Sequence, residues 1–366
     1  MMNRQQPADL ARGTPAADLL GLVQMFDAGV ETARRLRRRR FELLPLLARR
    51  MPAALSDSAA IEAACAAARG DPDLLHHPLG PLVWFFLHQT YAGAAQGGPI
   101  ARAAYALMTA LTTAANSGEA IDPRHWPNTR VMWRLPAPGI DLGTLPVGLV
   151  GAAECRRFAG NLAAGLALLR ATSPALADRL ARDMRWIVPL AEDRDGGRHS
   201  MTIAHLTGVL FIGARSDPGL VAELLIHEFL HTVLHSVSET RVLVEAVTMD
   251  KALYSPWRED GRPVEGLLHA LYVFSGVLLF WLHHIGAPAD AGRAEDRIAM
   301  LLLQLRTGVD TLRSSAQGDI VQRVAAATDH AIGLARAVSI SPSIAASAST
   351  RAEHHRRRWL ETVGAR

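Results

Sequence analysis

The sequence predicts a mainly α fold of the α+β type: a helical domain with a small antiparallel sheet next to a helix that carries an H-E-x-x-H motif. Three observations predict it. Most of the chain is rich in Ala, Leu and Arg, with apolar residues at helical spacing. A few short apolar runs, "VMWRLP", "RWIVPLA" and "SMTIAHLTGVLFIGA", are bounded by Gly, Pro or Asp as strands are. Finally, "SDPGLVAELLIHEFLHTVLH" opens a helix cleanly. Asp217 (or Ser216) is placed as N-cap, and Pro218 stands at the first helical position, where its missing N–H is not needed.

In chain order, residues 15 to about 116 read as helices, beginning with "AADLLGLVQMFDAGVETARRLRRRRFELLPLLARR". The Arg37 to Arg40 cluster there reads as a solvated helix face, because no aromatic residues are interleaved with it as nucleic-acid binding would need. Turn-rich breaks follow at 70–81 and 116–130, which places an N-terminal helical region at 1–130 and a catalytic region at 131–366. After the first strand and a Pro/Gly-rich stretch, "AAECRRFAGNLAAGLALLRATSPALADRLARDM" returns to helix. Two strands with the loop "EDRDGGRH" between them then lead into the motif helix. The remainder is helical, interrupted by "YSPWREDGRP" at 254–263, and the tail "STRAEHHRRRWLETVGAR" is a basic terminal helix.

Composition narrows the function class. With 366 residues, 49% hydrophobic and 20% charged, the chain has ample core and is not of the disordered class. A net charge of +4 is too mild and dispersed to imply nucleic acid. Cys65 and Cys155 stand far apart and offer neither a disulfide framework nor a cysteine metal site. The N-terminal stretch has no apolar signal core, and "GVLLFWLHHIGA" is too short to span a membrane, so the expected compartment is the cytoplasm.

The chemistry is carried by "HEFLH", residues 227–231. Positions i and i+4 of a helix share a face one turn apart, so His227 and His231 can reach one ion. Glu228 lies about 100° round the helix, where zinc peptidases place a general base towards a metal-bound water. His235 extends the row, yet it stands about 12 Å of rise from His227, and one ion cannot take all three. It could bind only by replacing His227. The metzincin continuation is absent, since Leu234 and Val237 stand where Gly and His would be. Glu239 and Glu245 follow too closely for a chain that must turn and come back. His269 in "GLLHALY", on the apolar face of a later helix, is the preferred third ligand.

"HEFLH" followed by "YSPWREDGRPVEGLLHALYVFSGVLLFW" resembles the HExxH-domain proteins that accompany radical-SAM maturases of ribosomally made peptides. Members of that family are described as 2-oxoglutarate-dependent peptide β-hydroxylases. The likeness covers roughly residues 200–285, and the order Y-x-P-W-R-x-D-x-R-P then G-L-L-H is its more specific part. One departure is Leu230, where a glutamine is expected, at a position facing away from the ligands. The resemblance implies iron(II) on His227, His231 and His269, with 2-oxoglutarate and O₂ as co-substrates, and Glu228 beside the metal rather than acting as a hydrolytic base. An oxygenase of this kind must anchor the distal carboxylate of 2-oxoglutarate, usually with an arginine fork, and Arg258 and Arg262 are the candidates. Tyr254 and Trp257 are candidates to line the pocket, and His205 to meet the peptide or co-substrate. The implied partners are a precursor peptide and a radical-SAM maturase of the same pathway, with no nucleic acid and no membrane. Two other readings stay open: a zinc metallopeptidase with Glu228 as base, and a non-catalytic peptide-binding partner of a maturase. Imidazoles suit iron and zinc alike.

Overall fold

A computed structural model of the chain describes residues 14–48, 119–120, 130–131, 152–184, 186–190, 200–202, 204, 208–213, 217–247, 252–285 and 291–364. The expected helices between 49 and 116, the break at 70–81 and the loop 192–199 lie outside the described residues. Helices dominate the described residues, with a few small sheets, as the α+β class requires. The chain divides into two compact units, Ala28–Thr240 and Met1–Asp27 with Arg241–Arg366. The boundary expected at residue 130 falls inside the first of these.

The Ala28–Thr240 unit takes nearly all of helix α2 (Asp27–Ala48), with α3 (Ala152–Thr172), α4 (Pro174–Asp183) and α5 (Pro218–Ser238). Its strands are β1 (Glu119–Ala120), β2 (Arg130–Val131), β3 (Trp186–Leu190), β4 (Ser200–Met201) and β5 (Val209–Gly213). They form one sheet in the order β1-β2-β3-β5-β4. Strands β2, β3 and β5 are mutually parallel, while β1 and β4 are antiparallel edges. The sheet is therefore mixed rather than antiparallel. The reason is legible in "WIVPL" and "VLFIG": both strands are buried along their whole length, the continuous apolar pattern of parallel strands covered on both faces. The antiparallel pairing survives where β4 folds back on β5, and α5 packs against these two strands.

Helix α5 begins as the sequence predicts: the Asp217 side chain accepts a 2.9 Å hydrogen bond from the Leu220 N–H, and Pro218 follows. It also packs on α3. At the C-terminal end of α5, Arg37 of α2 donates to Glu239 at 2.8 Å and to Ser236 at 2.9 Å. Only 11% of the Arg37 side chain is exposed, so this member of the arginine cluster is a tether and not part of a solvated face. Arg34, Arg179 and Arg182 converge on Asp183 at the end of α4.

The other unit is organised around α6 (Val264–His284), which is apolar on nearly all sides and is enclosed by α1 (Thr14–Gln24), α7 (Ala291–Ser315) and α8 (Asp319–Ala335). Several of its polar groups are paired inside the unit. Tyr272 donates to the Leu22 carbonyl at 3.0 Å and meets Phe26 edge-on. The Ser275 and Thr328 hydroxyls lie 3.0 Å apart, and each donates to the carbonyl one turn back. Helices α5 and α6 each have 21 residues, long and apolar enough by composition to cross a bilayer. The apolar stretch around Gly276 is thus part of a longer helix than its own length suggests. Their apolar windows are 67% and 72% buried inside the protein, as core helices are.

The segment expected as an interrupting loop is a β-hairpin, β7 (Leu253–Ser255) and β8 (Arg258–Arg262), turning on Pro256–Trp257. Gly261 is required there, because a Cβ would come within 2.3 Å of the Ala252 Cβ. A second two-stranded ribbon pairs β6 (Ala246–Val247) with β9 (Ala316–Gln317). The terminal helix α9 (Pro342–Gly364) packs on α7 and β8.

Candidate metal centre

Helix geometry dictates the site in α5. His227, His231 and His235 form a half-buried stripe, one turn between successive members, on a helix whose remaining faces are largely buried. The rings of His227 and His231 meet edge-on at 4.9 Å, and those of His231 and His235 stack at 6.1 Å. The nitrogens of His231 and His235 lie within 4.8 Å of each other. One ion needs nitrogens at about 2.1 Å, so the rise per residue still forbids all three on one ion. Within this stripe His231 is common to either adjacent pair, and the His231–His235 pair that spacing had set aside is geometrically open.

Glu228 lies beside the first member of that stripe and is buried, with 2% of its surface exposed. Its Oε1 stands 3.9 Å from His227 Nε2, and its Oε2 has no hydrogen-bond partner. Burial pushes the carboxyl up to about 7, partly offset by hydrogen bonds from Ser200 and Thr202. Those two residues alternate along the β4 edge, at i and i+2, so both can face α5. Sequence reading missed them, although the polar alternation in "SMT" is a signal for this face. A carboxyl poised near neutrality beside an imidazole ladder can hold or release a proton at working pH. The orphaned carboxylate oxygen and the adjoining imidazoles are a donor set that fits a divalent transition metal.

The remaining candidates lie as follows. His269 is half-buried on α6, two turns after Arg262 at the end of β8. Arg262 is half-buried, and burial lowers its pKa, with the neighbouring Arg258 adding to the effect. Arg258 is exposed and its fork is already engaged by Asp260, with Nε to Oδ1 at 2.7 Å. Tyr254 and Trp257 are both packed. Tyr254 Oη lies 3.2 Å from His355 Nδ1 and its ring meets Trp359 edge-on, while Trp257 stacks on Phe274 at 4.8 Å. His205 lies outside the described residues. Comparison with protein-family models and with curated proteins finds no match for this chain.

Proposed function

We propose that this chain is an iron(II)- and 2-oxoglutarate-dependent hydroxylase that acts on the β-carbon of a residue in a ribosomally made precursor peptide. The observation that carries the reading is the order "HEFLH", "YSPWREDGRP", "GLLH", in which an imidazole pair one helical turn apart precedes an arginine-bearing hairpin and a further histidine. Support from the fold is local: the pair sits on a rigid buried helix, and the hairpin leads directly into the helix that carries His269.

On this reading His227, His231 and His269 hold the metal, which together with 2-oxoglutarate and O₂ supplies the oxidising chemistry. Arg262 binds the distal carboxylate of the co-substrate, because its half-buried guanidinium gains most from an anionic partner, whereas Arg258 is engaged by Asp260. Glu228 shares the buried space beside His227, where burial in the metal-free chain favours its neutral form. The β4 edge, which presents Ser200 and Thr202 to Glu228, is a place for an extended peptide to pair. The peptide and a radical-SAM maturase of the same pathway are the partners, and the cytoplasm is the compartment.

One observation favours a second reading: a buried glutamate raised to about 7 next to a histidine pair also suits the general base of a zinc peptidase. The experiment separates them. The protein is loaded anaerobically with iron(II), then given 2-oxoglutarate, O₂ and the peptide encoded beside its gene. The hydroxylase reading expects succinate and a peptide heavier by one oxygen. Peptide cleavage restored by zinc, with neither product under iron, overturns it in favour of the peptidase. A chain isolated without metal, whose peptide affinity ignores iron and zinc, would leave peptide binding alone.

A further inference from the structure

The terminal helix α9 is joined to the rest of its unit by a thin seam. Its inward stripe runs Ile344, Ala348, Ala352, His355, Trp359 and Val363, spaced three or four residues apart as a packed helix face requires. Of these only Ala348 is buried, whereas α6 buries most of its length. The small side chains at Ala348 and Ala352 leave the seam incompletely filled, with a cleft of about 200 Å³ between α7 and α9. The seam also encloses polar atoms without partners, His355 Nε2 and Trp359 Nε1. Little apolar area favours docking, and the unpaired atoms oppose it.

What holds α9 is mostly polar and peripheral. Glu295 of α7 accepts the Ser341 N–H just before the helix, Arg351 pairs with Asp296 of α7, and Arg358 pairs with Glu259 of β8 at 2.8 Å. Both ion pairs are made by side chains about half exposed, where such pairs contribute little. The inner contact is made by the hairpin: Tyr254 Oη at 3.2 Å from His355 Nδ1, with the Tyr254 ring edge-on to Trp359. Strand β8 packs in turn on β7 and on α9. Release of α9 therefore uncovers the strand that carries Arg258 and Arg262.

From this arrangement we propose that α9 is a detachable latch on the arginine hairpin, with His355 as its proton-sensitive catch. Neutral His355 docks beside Tyr254; protonated His355 releases the helix and loosens β8. The charged form is disfavoured in the seam for a local reason. Its outer nitrogen, Nε2, is enclosed without an acceptor, and Glu259, the facing carboxylate, is already shared with Arg358. On β8, Asp260 is engaged by Arg258, and Arg262 is a further cation. On α9 itself Glu353 is set against Arg356, Arg357 and Arg358. From α7 the seam receives Met300, Leu303, Gln304 and Thr307, none of which titrates. Burial pushes the His355 pKa below its ordinary 6.5, Glu259 offsets part of this, and Arg358 adds to it. A lowered docked pKa means that docking is fully favoured above about 6.5 and weakens as pH falls below it.

Hydrogen exchange of the full chain at pH 7.5 and 5.5, corrected for intrinsic rates, tests the latch. Chelator is present throughout, so that metal loss at low pH does not contribute. One proton with an undocked pKa of about 6.5 allows at most about a tenfold rise in opening between these pH values. Amides of α9 and of the β7–β8 hairpin should lose protection together, by about three- to tenfold, while α6 and α8 do not follow. His355→Gln, which still accepts from Tyr254 but does not titrate, should remove the pH response. His355→Phe, also non-titrating, serves the same purpose should the glutamine variant fail to fold. Protection of α9 equal to that of α6 at both pH values overturns the proposal. So does a pH response that survives in the folded His355 variant, or an α9 that opens while the hairpin stays protected.

Discussion

Gly165 and Gly160 lie on the same helix, α3, and make a controlled test of how tightly the motif helix is seated. A Cβ at Gly165 would stand 2.9 Å from Val221 Cγ1 and 3.0 Å from the Pro218 carbonyl oxygen, both in the first turn of α5. Val221 is fully buried and Pro218 is backbone, so neither can swing away. A Cβ at Gly160 meets nothing within 4 Å. Replacing either glycine by alanine removes the same propensity penalty, about 1 kcal/mol, which favours both variants. Overpacking of a tight contact costs about 1–3 kcal/mol and falls on Gly165→Ala alone. Gly160→Ala should therefore raise stability by up to about 1 kcal/mol, whereas Gly165→Ala should be neutral to about 2 kcal/mol less stable. The difference between the two isolates the packing cost. Denaturant midpoints with unchanged slopes read it directly. Equal stabilisation by both substitutions would refute the claim that α3 clamps the start of the H-E-x-x-H helix.

Other outcomes follow from the site. In the metal-free protein Glu228 has a folded pKa of about 7 against an ordinary value of 4.5, so folding favours its neutral form. The contribution is fully present below about 4.5 and is lost as pH rises through about 7. At about 1.4 kcal/mol per pH unit this is on the order of 3 kcal/mol. Chelator-treated protein should lose that stability between these pH values, and Glu228→Gln should flatten the loss; the same slope in both proteins would contradict the burial argument. Metal content of single alanine variants decides which pair of the stripe is used: His231→Ala and His227→Ala should come out metal-free and His235→Ala loaded, the reverse for 227 and 235 favouring the lower pair. Arg262→Lys should raise the 2-oxoglutarate concentration needed for half-maximal turnover by at least about tenfold, since a point charge replaces a bidentate fork. Arg258→Ala should change it little, because that side chain is engaged by Asp260; the opposite ranking would exchange the two arginines' roles.

Local sequence was sufficient wherever one residue's chemistry acts on its own neighbours. Asp217 caps α5 and Pro218 starts it, as their side chains dictate without help from the rest of the chain. The buried runs "WIVPL" and "VLFIG" are strands for the same reason. The spacing of His227, His231 and His235 fixed their common face, because helical rise and turn are properties of the backbone alone. The likeness to a family rested on the sequence as well, and nothing in the fold replaces it.

Tertiary structure decided what depends on partners distant in sequence. Strand direction is one such matter: β3 and β5 are parallel because β4 folds back outside them, which no short window contains. Arg37 is another, since a solvated arginine and one that pairs with Glu239 differ only in what chain packs alongside. The hairpin at Pro256–Trp257 uses Tyr254 and Trp257 for packing, an assignment that aromatic character alone leaves open. Glu228 shows the division most plainly. Its place beside the first histidine follows from the sequence, but its burial and its elevated pKa depend on the chain packed around it, which removes water from the carboxylate, while the hydroxyls of Ser200 and Thr202 offset part of the shift.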